Sequence, residues 1–312
     1  MFDSLSRALF HGLAGSTTLK TFASRYGMRP GGFARRFIAG EALGDALTSA
    51  TRITAGGRHC TLNHLGESVR SLEAAREAVA AYEIIVQGVR EAGLSCQISI
   101  KPTQLGLLLD PPNCEENLRR VLDAAGDTHF VRIDMEQSIC VDPTLDLFER
   151  VWRAGYRNVG VVLQAYLHRT ADDLKRLIDL GAGVRLCKGA YQESAAVAYP
   201  AKSDVDTSFV RLMRTLVDTG TRPAFATHDP RMIEAVKTYA HERGLSADAF
   251  EFEMLFGVRR DLQTALAAEG YRVRVYLPFG DQWFQYFMRR LGERPANVLF
   301  VLRSLFHERR PS

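Results

Sequence analysis

Eight short, strongly apolar segments alternate with longer amphipathic segments through most of this 312-residue chain. The long segments repeat apolar residues at the spacing of one helix face, and the short ones have the length and residue types of buried strands. The predicted strands are 60–65, 96–101, 130–135, 159–164, 184–188, 224–227, 250–254 and 273–277. The predicted helices between them are 68–91, 113–125, 145–153, 171–180, 207–218, 230–243 and 258–268. Strands that each precede a helix are typical of a closed parallel barrel, so the sequence predicts an α/β fold of the (β/α)8 TIM type.

The two ends of the chain do not continue this alternation. Residues 1–50 carry helical patterns that are interrupted at 27–32, which predicts an arm of two or three helices. Residues 295–306 predict an extra apolar helix, and the basic sequence HERRPS follows it. We therefore expect an N-terminal helical arm over 1–50 and a single barrel domain over 51–312.

Composition excludes several classes of protein. A net charge of +4 is too small and too dispersed to favour nucleic acid as a partner. The five cysteines form neither a C-x-x-C pair nor a metal-ligand spacing, so we expect no disulfide framework and no metal site. The first residues lack the pattern of a signal peptide, and no segment has the apolar length of a membrane span. The expected location is the cytoplasm.

Alternation within the predicted strands indicates a polar barrel interior. In VRIDME, residues 131–136, the charged side chains share one strand face and the apolar ones share the other. Helices cover the apolar face, so the charged face points inward, where charges persist only when they are paired. We predict a structural network low in the barrel that joins Arg132, Arg272 and Arg274 to Glu251, Glu253 or Glu136.

Other polar residues lie at the C-terminal ends of the predicted strands, where barrel enzymes place their chemistry. These functional candidates are Lys101, Asp134, Gln164, Arg185, Lys188, Thr227, His228 and Tyr276. Individually, such residues are also explained as buried ion pairs, as a lysine reaching the surface or as a hydrogen-bonded core histidine. Their joint placement at strand ends favours the functional interpretation.

The stretch from residue 275 to residue 295 predicts a strand, a tight turn and a short helix in succession. Tyr286, Arg289 and Glu293 share one face of this helix, and Arg290 lies beside them. Two adjacent guanidinium groups that face a cavity would form a fork for a carboxylate. The alternative is a solvated basic face in which Arg289 pairs with Glu293.

Seven motifs, in order along the chain, resemble those of the proline dehydrogenases, specifically the short bacterial form. They are SIKPTQLG (99–106), VRIDME (131–136), VVLQAYL (161–167), VRLCKGAY (184–191), ATHD (226–229), FEFEMLFGVR (250–259) and YFMRRLGERPANV (286–298). The resemblance covers about residues 59–305. It implies a distorted (β/α)8 barrel that binds FAD and oxidises L-proline to 1-pyrroline-5-carboxylate, with hydride transfer from proline C5 to flavin N5 and electrons passing to a membrane quinone.

The resemblance also implies roles for particular residues. Asp134 and Arg185 take the catalytic positions. The substrate contacts fall on Lys101, Asp134, Tyr276, Tyr286, Arg289 and Arg290. The flavin contacts fall on Met135, Gln164, Arg185, Lys188, Gly189, Ala190, Thr227 and His228. The chain departs from the family at the end of the first strand, where a D-L-L-G-E-like run is usual and NHLGE stands at 63–67.

The chemistry of proline oxidation is consistent with these roles. The ring nitrogen must be neutral, and positive charge from Lys101, Arg289 and Arg290 opposes ammonium formation. Asp134 would favour the ammonium form if it touched the nitrogen, so we expect it to orient Lys101 or an arginine. The resemblance further associates Tyr286 with the rejection of hydroxyproline.

Three alternatives remain open at this stage. The barrel could be a flavin-free lyase in which Lys188 or Lys101 forms a Schiff base. It could instead bind an amino acid without catalysis. The arm or the C-terminal helix could contact the bilayer that holds the quinone, or could simply pack on the barrel mouth.

Overall fold

The computed structural model describes residues 27–29, 32 and 34–293, with side chains described as far as Met288. The strands are β1 (His59–His64), β2 (Gln97–Ile100), β3 (Val131–Ile133), β4 (Val159–Gln164), β5 (Gly183–Cys187), β6 (Thr221–Ala226), β7 (Glu251–Leu255) and β8 (Arg272–Phe279). The helices are α1 (Leu43–Ala55), α2 (Leu72–Glu91), α3 (Pro111–Ala125), α4 (Val141–Arg153), α5 (Thr170–Asp179), α6 (Lys202–Thr219), α7 (Pro230–Glu242), α8 (Arg260–Ala268) and α9 (Trp283–Glu293). Short 3-10 turns cover Ala34–Arg36, Pro102–Leu105 and Ser138–Cys140.

The eight strands form a closed parallel barrel. Each strand pairs in parallel with the next one in sequence, and β1 pairs with β8 to close the ring. The β8 register aligns Cys60 with Val275 and Thr61 with Tyr276, so inward and outward positions alternate in step across the closure. This arrangement confirms the predicted (β/α)8 TIM-type barrel.

Local sequence signals account for several helix starts. The Ser71 side chain accepts a hydrogen bond from the backbone N–H of Ala74 at the start of α2. Asp110 and Asp229 cap α3 and α7 in the same manner, and a proline follows each of them. A capping oxygen satisfies an N–H that has no partner within the helix, and proline is preorganised for the first helical position.

Space inside the lower barrel depends on a glycine. A Cβ at Gly160 would lie 2.5 Å from the carbonyl oxygen of Gly183 and 2.6 Å from Nη1 of Arg132. The missing side chain therefore leaves room for the buried Arg132 guanidinium. That group donates a 2.8 Å hydrogen bond to the Gly183 carbonyl, and it lies 4.9 Å from the centroid of the Phe130 ring.

The predicted charge network is confirmed as a hydrogen-bonded ion pair for Arg274, whereas Arg132 and Arg272 act on Glu251 through their charges alone and help to lower its pKa. Arg274 donates to both oxygens of Glu251, at 2.9 and 3.0 Å. The hydrogen bond of Arg132 goes to a backbone carbonyl instead, and burial lowers the pKa of this guanidinium to about 10. Arg272 is the first residue of β8 and is exposed at the bottom of the barrel, and the buried positions of this strand begin at the next residue. Glu253 and Glu136 have other partners, which are described with the site below.

Two helices depart from the simple pattern of one helix beside each strand. Helix α1 packs against β1 and β8 through Ala46, Ala50 and Ile53, so it covers the seam of the barrel. Helix α9 instead follows β8 and forms a separate apolar cluster with residues 34–38 and Leu65. Trp283 is fully buried there and donates a 2.7 Å hydrogen bond to Glu41.

The ends of the chain lie mostly outside the described residues. Of the predicted arm, the structure describes one 3-10 turn and the first part of α1, and the predicted helix over 295–306 is not described. The division at residue 50 stays a prediction. Within the described part of the chain, every helix is too short or too polar to cross a membrane.

Candidate active site

Asp134 lies at the centre of a buried cluster just beyond the C-terminal end of β3. One carboxylate oxygen accepts hydrogen bonds from Ser99 Oγ at 2.7 Å and Arg185 Nη1 at 2.9 Å. The other accepts from Tyr276 OH at 2.6 Å and Lys101 Nζ at 3.2 Å. Only 8% of the Asp134 surface is exposed. The structure thus brings together four residues that the sequence placed at separate strand ends, and it adds Ser99.

The electrostatics of this cluster follow from its charges. Burial raises the pKa of Asp134, but Lys101 and Arg185 more than offset that effect and hold the pKa below its ordinary value. Burial opposes the charged form of Lys101, yet Tyr276 and Asp134 raise the pKa of its ammonium group well above the usual range. The pKa of Tyr276 is raised by burial and by Asp134. The carboxylate and the ammonium group are therefore both ionised at neutral pH.

Arg185 bridges two carboxylates within the barrel. Its Nη2 atom lies 2.7 Å from the Oε2 atom of Glu253, a residue of β7. Its guanidinium carbon lies 5.5 Å from the centroid of the Tyr276 ring. Burial lowers the pKa of Arg185, but Glu253 and Asp134 raise it above the ordinary value. Glu253 therefore belongs to this site rather than to the lower network. The sequence indicated its inward position through the alternation of polar residues along β7, but not its partner.

Glu136 organises the loop after β2 rather than pairing with an arginine. It accepts hydrogen bonds from the backbone N–H and the hydroxyl of Thr103, at 3.0 and 2.6 Å. Thr103 in turn accepts from the backbone N–H of Ser68 at 2.8 Å. Burial raises the pKa of Glu136. This carboxyl group holds the loops after β1, β2 and β3 together beside the Asp134 cluster.

Gln164 lies at the end of β4 and has unused hydrogen-bonding capacity. Its Nε2 donates to the carbonyl of Glu136 at 3.3 Å, while its Oε1 is buried without a hydrogen-bond partner among the described residues. The Nε atom of Arg185 is in the same condition. A buried amide oxygen can accept a hydrogen bond and a buried guanidinium N–H can donate one, so the two groups fit a polar heterocyclic ligand that has both donors and acceptors. Met135 is buried immediately after Asp134.

The structure places Lys188 in a cluster of opposite charges beyond β5. Its Nζ contacts Asp206 of α6 and lies 2.8 Å from Asp229. Lys202 and Arg231 surround the same two aspartates on the exposed side. Desolvation raises the pKa of Asp229, but hydrogen bonds from Lys188 and Arg231 bring it well below its ordinary value.

The turn after Lys188 requires a glycine. Gly189 has a φ of +105°, and a Cβ there would lie 2.2 Å from the Tyr166 ring. The chain therefore passes directly over that ring. Ala190 is exposed at the next position.

Thr227 and His228 follow β6 directly and hold the neighbouring loops. The Thr227 hydroxyl accepts from the backbone N–H of Asp229 at 3.1 Å. His228 Nε2 accepts from the backbone N–H of Leu255 at 2.8 Å, which leaves the ring proton on Nδ1. Both residues are thus positioned by the backbone at the rim of the barrel.

The helix that follows β8 has the predicted position in the chain. Tyr286 is buried in the apolar cluster of α9. Arg289 and Arg290 lie within the helix, but their side chains are outside the described part of the structure. The carboxylate fork and its alternative, a solvated basic face, both stay predictions.

The departure at the end of β1 leaves polar groups inside the barrel. Asn63 is 1% exposed, and both polar atoms of its amide lack a hydrogen-bond partner among the described residues. His64 points outward, with its ring 5.4 Å from Phe279 and 6.1 Å from Tyr82. Burial lowers the pKa of His64, which keeps the ring neutral.

A closed barrel with a buried, ionised cluster at the C-terminal strand ends defines the class: a TIM-barrel enzyme. Comparison with known proteins then identifies the family. The family model for proline dehydrogenase matches residues 46–303. Proline dehydrogenase 1 of Bacillus subtilis subsp. natto is 40% identical over 300 residues, which are 96% of this chain and 98% of that protein. The chain belongs to the proline dehydrogenase family and is an oxidoreductase of proline metabolism.

Other relatives agree with this assignment. Proline dehydrogenase of Deinococcus radiodurans is 41% identical over 278 residues, covering 87% of this chain and 89% of that protein. The crystal structure of proline utilization A from Bdellovibrio bacteriovorus, inactivated by N-propargylglycine, superposes with a TM-score of 0.80 at 26% identity. That match covers 89% of this chain and 34% of the longer protein.

Proposed function

We propose that this chain oxidises L-proline to 1-pyrroline-5-carboxylate, with FAD as its cofactor and a membrane quinone as the electron acceptor. The observation that carries the proposal is the cluster of Lys101, Asp134, Arg185 and Tyr276 at the strand ends. It combines fixed positive charge with a hydroxyl group in a buried site. Such groups, fixed before the substrate arrives, bind a small amino acid without reorganisation.

Charge balance supports the helix arginines as the partners of the substrate carboxylate. Lys101 and Arg185 are offset by Asp134 and Glu253, so the described cluster has no net charge to spare. A bound carboxylate would need further cations, and Arg289 and Arg290 on α9 are the candidates. Tyr276 and Tyr286 would complete the substrate pocket. Arginine suits this role because its planar donors match both carboxylate oxygens.

Asp134 acts in this proposal as the residue that orients the cations. Its two oxygens already accept from Lys101, Arg185, Tyr276 and Ser99. Its negative charge is thereby shared with two cations and does not favour protonation of the proline nitrogen. The nearby Lys101 ammonium opposes that protonation directly.

The residues at the ends of β4, β5 and β6 would hold FAD. The buried Gln164 Oε1 and Arg185 Nε, each without a hydrogen-bond partner among the described residues, support this assignment. The remaining contacts in the proposal are Met135, Lys188, Gly189, Ala190, Thr227 and His228. When bound, FAD supplies the acceptor for the hydride that leaves proline C5. Arg185 would place positive charge beside the cofactor, and that charge favours its reduced form.

A membrane quinone as the electron acceptor would require the protein to reach a membrane surface. We expect a cytoplasmic protein that contacts the bilayer peripherally, because residues 295–306 are apolar and a basic end follows them. Flotation with liposomes at low salt tests this part. Protein that stays in the soluble fraction would contradict it.

The structure disfavours the Schiff-base alternative. A lysine must lose its proton to attack a carbonyl group, and the pKa of Lys101 is raised well above its ordinary value. Lys188 contacts two aspartates at once. Neither lysine resembles an activated amine nucleophile.

An absorbance spectrum with and without substrate tests the proposed reaction. The purified, FAD-loaded protein should show flavin bands that bleach when L-proline is added without oxygen. Bands that persist in saturating L-proline would indicate a binding protein rather than a dehydrogenase. A protein that holds no flavin when FAD is supplied would contradict the cofactor assignment.

A further inference from the structure

A cavity on the outside of the barrel, between α1 and α8, is lined by arginines. Its volume is about 610 Å³, and its floor includes Val275 on the outer face of β8. Tyr276, the next residue, points into the barrel and contacts Asp134. The wall of the barrel therefore separates this cavity from the proposed proline site. The lining arginines are Arg35, Arg36, Arg52, Arg58 and Arg260.

The charge in this cavity is not balanced by its walls. None of the described residues that line it is acidic. Arg35 pairs at 3.1 Å with Asp45, which is not among the residues that line the cavity. Arg52 donates to the Thr48 carbonyl and Arg58 to the amide oxygen of Gln263, so their hydrogen bonds go to uncharged oxygens.

Several of these guanidinium groups are held in place. Gln263 is 2% exposed, and its Nε2 donates to the carbonyls of Leu255 and Val258 at 3.0 and 2.9 Å. This fixes its Oε1, which accepts from Arg58 at 3.4 Å. Arg36 Nε donates to the Gly257 carbonyl at 3.3 Å. Burial and the charge of Arg260 lower the pKa of Arg36, so the two cations repel each other across the cavity.

Basic residues also predominate in the parts of the sequence whose side chains the structure does not describe. Before residue 27 and after residue 288 the sequence contains three acidic residues, Asp3, Glu293 and Glu308, and they are outnumbered by basic ones. A cavity lined by five arginines, with no acidic residue among its described lining, is suited to an external anion. Arginines that line one cavity from α1, α8 and the 3-10 turn suit the several oxygens of a phosphate group better than a single carboxylate, which one arginine can satisfy.

We infer that the arginine-lined cavity between α1 and α8 binds a phosphate ester. Phe256 and Ile53 line it as well and would contact the organic part of such a ligand. The phosphate could belong to a soluble phosphorylated metabolite or to the headgroup of an anionic phospholipid. Either ligand would be recognised through the same guanidinium groups. The inference does not depend on the proposed proline oxidation.

The test uses the FAD-loaded protein and two phosphate probes. Pyrophosphate represents the soluble source and is titrated calorimetrically. Phosphatidylglycerol vesicles represent the lipid source and are sedimented with the protein, with phosphatidylcholine vesicles as the neutral comparison. The double variant Arg52→Glu with Arg260→Glu changes two exposed lining residues. The matched control, Arg211→Glu with Arg214→Glu, makes the same charge change on the exposed face of α6.

Saturable binding of at least one probe by the wild type, weakened about tenfold or more in the lining variant and less than about twofold in the control, supports the inference. The probe that binds identifies the source of the phosphate. The inference is overturned if the wild type binds neither probe. It is also overturned if the two double variants lose binding equally, since the attraction would then be general, or if the lining variant binds as the wild type does.

Discussion

Asp134 is the residue on which the proposed site depends most. Four donors from three other strand ends reach its two oxygens: Ser99, Lys101, Arg185 and Tyr276. An ionised carboxylate is costly to bury unless such partners surround it. Each donor therefore stabilises the charge, and the carboxylate fixes the position of each donor. Removal of one donor should disturb the geometry of the others.

Substitution Tyr276→Phe removes one of these donors and little else. The lost hydrogen bond is 2.6 Å long and joins a hydroxyl group to a charged acceptor. Bonds of that kind contribute about 1.5–3 kcal/mol. We expect kcat/KM for L-proline to fall by about tenfold or more, with the flavin spectrum unchanged.

Tyr156→Phe is the matched control for this measurement. Tyr156 donates a bond of similar length, 2.7 Å, to Asp123 on the exposed surface. Its loss should leave kcat/KM within about twofold of the wild type. Equal activities of the two variants would remove Tyr276 from the proposed site.

Tyr286 is predicted to limit the substrate at the other side of the pocket. It is buried in the α9 cluster, next to the helix arginines in sequence. Tyr286→Ser should raise the ratio of kcat/KM for hydroxyproline to that for proline by about tenfold, because it opens space for the extra hydroxyl group. Tyr286→Phe keeps the ring and should keep the selectivity. A Ser variant with the selectivity of the wild type would refute the role.

At the scale of the elements, sequence periodicity was sufficient to locate the barrel. All eight predicted strands occur, and β4 has its predicted bounds, because strands whose outer face packs against helices leave a strong apolar signal. The prediction for β3 was too long at both ends. The strand ends at Ile133. The backbone N–H of the next residue, Asp134, donates a hydrogen bond to the Ile100 carbonyl, and the chain then turns into the site.

Partner choice among the inward charges could not be read from the sequence. Alternation correctly placed Arg132 and Glu253 inside, but it assigned them to one network. The tilt and stagger of the strands decide which inward side chains lie at the same height in the barrel and can pair. Arg132 meets the Gly183 carbonyl, and Glu253 meets Arg185. The contact of Lys188 with Asp206 depends in the same way on how α6 packs beside the barrel.

The buried ion pair between Glu251 of β7 and Arg274 of β8 allows a test of how the strands are stabilised. Glu251→Gln leaves the buried Arg274 without its carboxylate partner. Breaking a buried ion pair from one side costs about 3–5 kcal/mol. We expect the free energy of unfolding in urea to fall by about that amount.

The control for the buried pair is Glu83→Gln. Glu83 also accepts hydrogen bonds from one arginine, Arg120, with both of its oxygens, but on the surface between α2 and α3. Exposed pairs contribute about 0–1 kcal/mol. If both substitutions had the same small effect, the ion pair inside the barrel would not stabilise the fold as argued.

For the molecule as a whole, the polar interior predicts sensitivity to acid. The pKa values of Asp134 and Glu251 are lowered in the folded state: burial raises both, but Lys101 and Arg185 outweigh it at Asp134, and Arg274 does so at Glu251. The unfolded chain takes up these protons near pH 4, and the folded chain takes them up only at lower pH. Their stabilising contribution is therefore present above about pH 5 and is lost as the pH falls.

Urea unfolding between pH 3.5 and 7 measures this effect. The free energy of unfolding should decrease as the solution is acidified below about pH 5. Glu136, whose pKa burial raises, acts in the opposite sense and makes the slope smaller. Asp134→Asn should have a shallower slope than the wild type. An identical slope would mean that Asp134 is not held in its ionised form by its neighbours.

The rate at which L-proline reduces the bound flavin, measured in one turnover without oxygen, tests the central claim most directly. Asp134→Asn keeps the shape of the side chain but removes the charge that positions Lys101 and Arg185. With flavin still bound, its reduction should be about a hundredfold slower than in the wild type. The surface variant Asp123→Asn should react as fast as the wild type. Flavin reduction by Asp134→Asn at the wild-type rate would contradict the account.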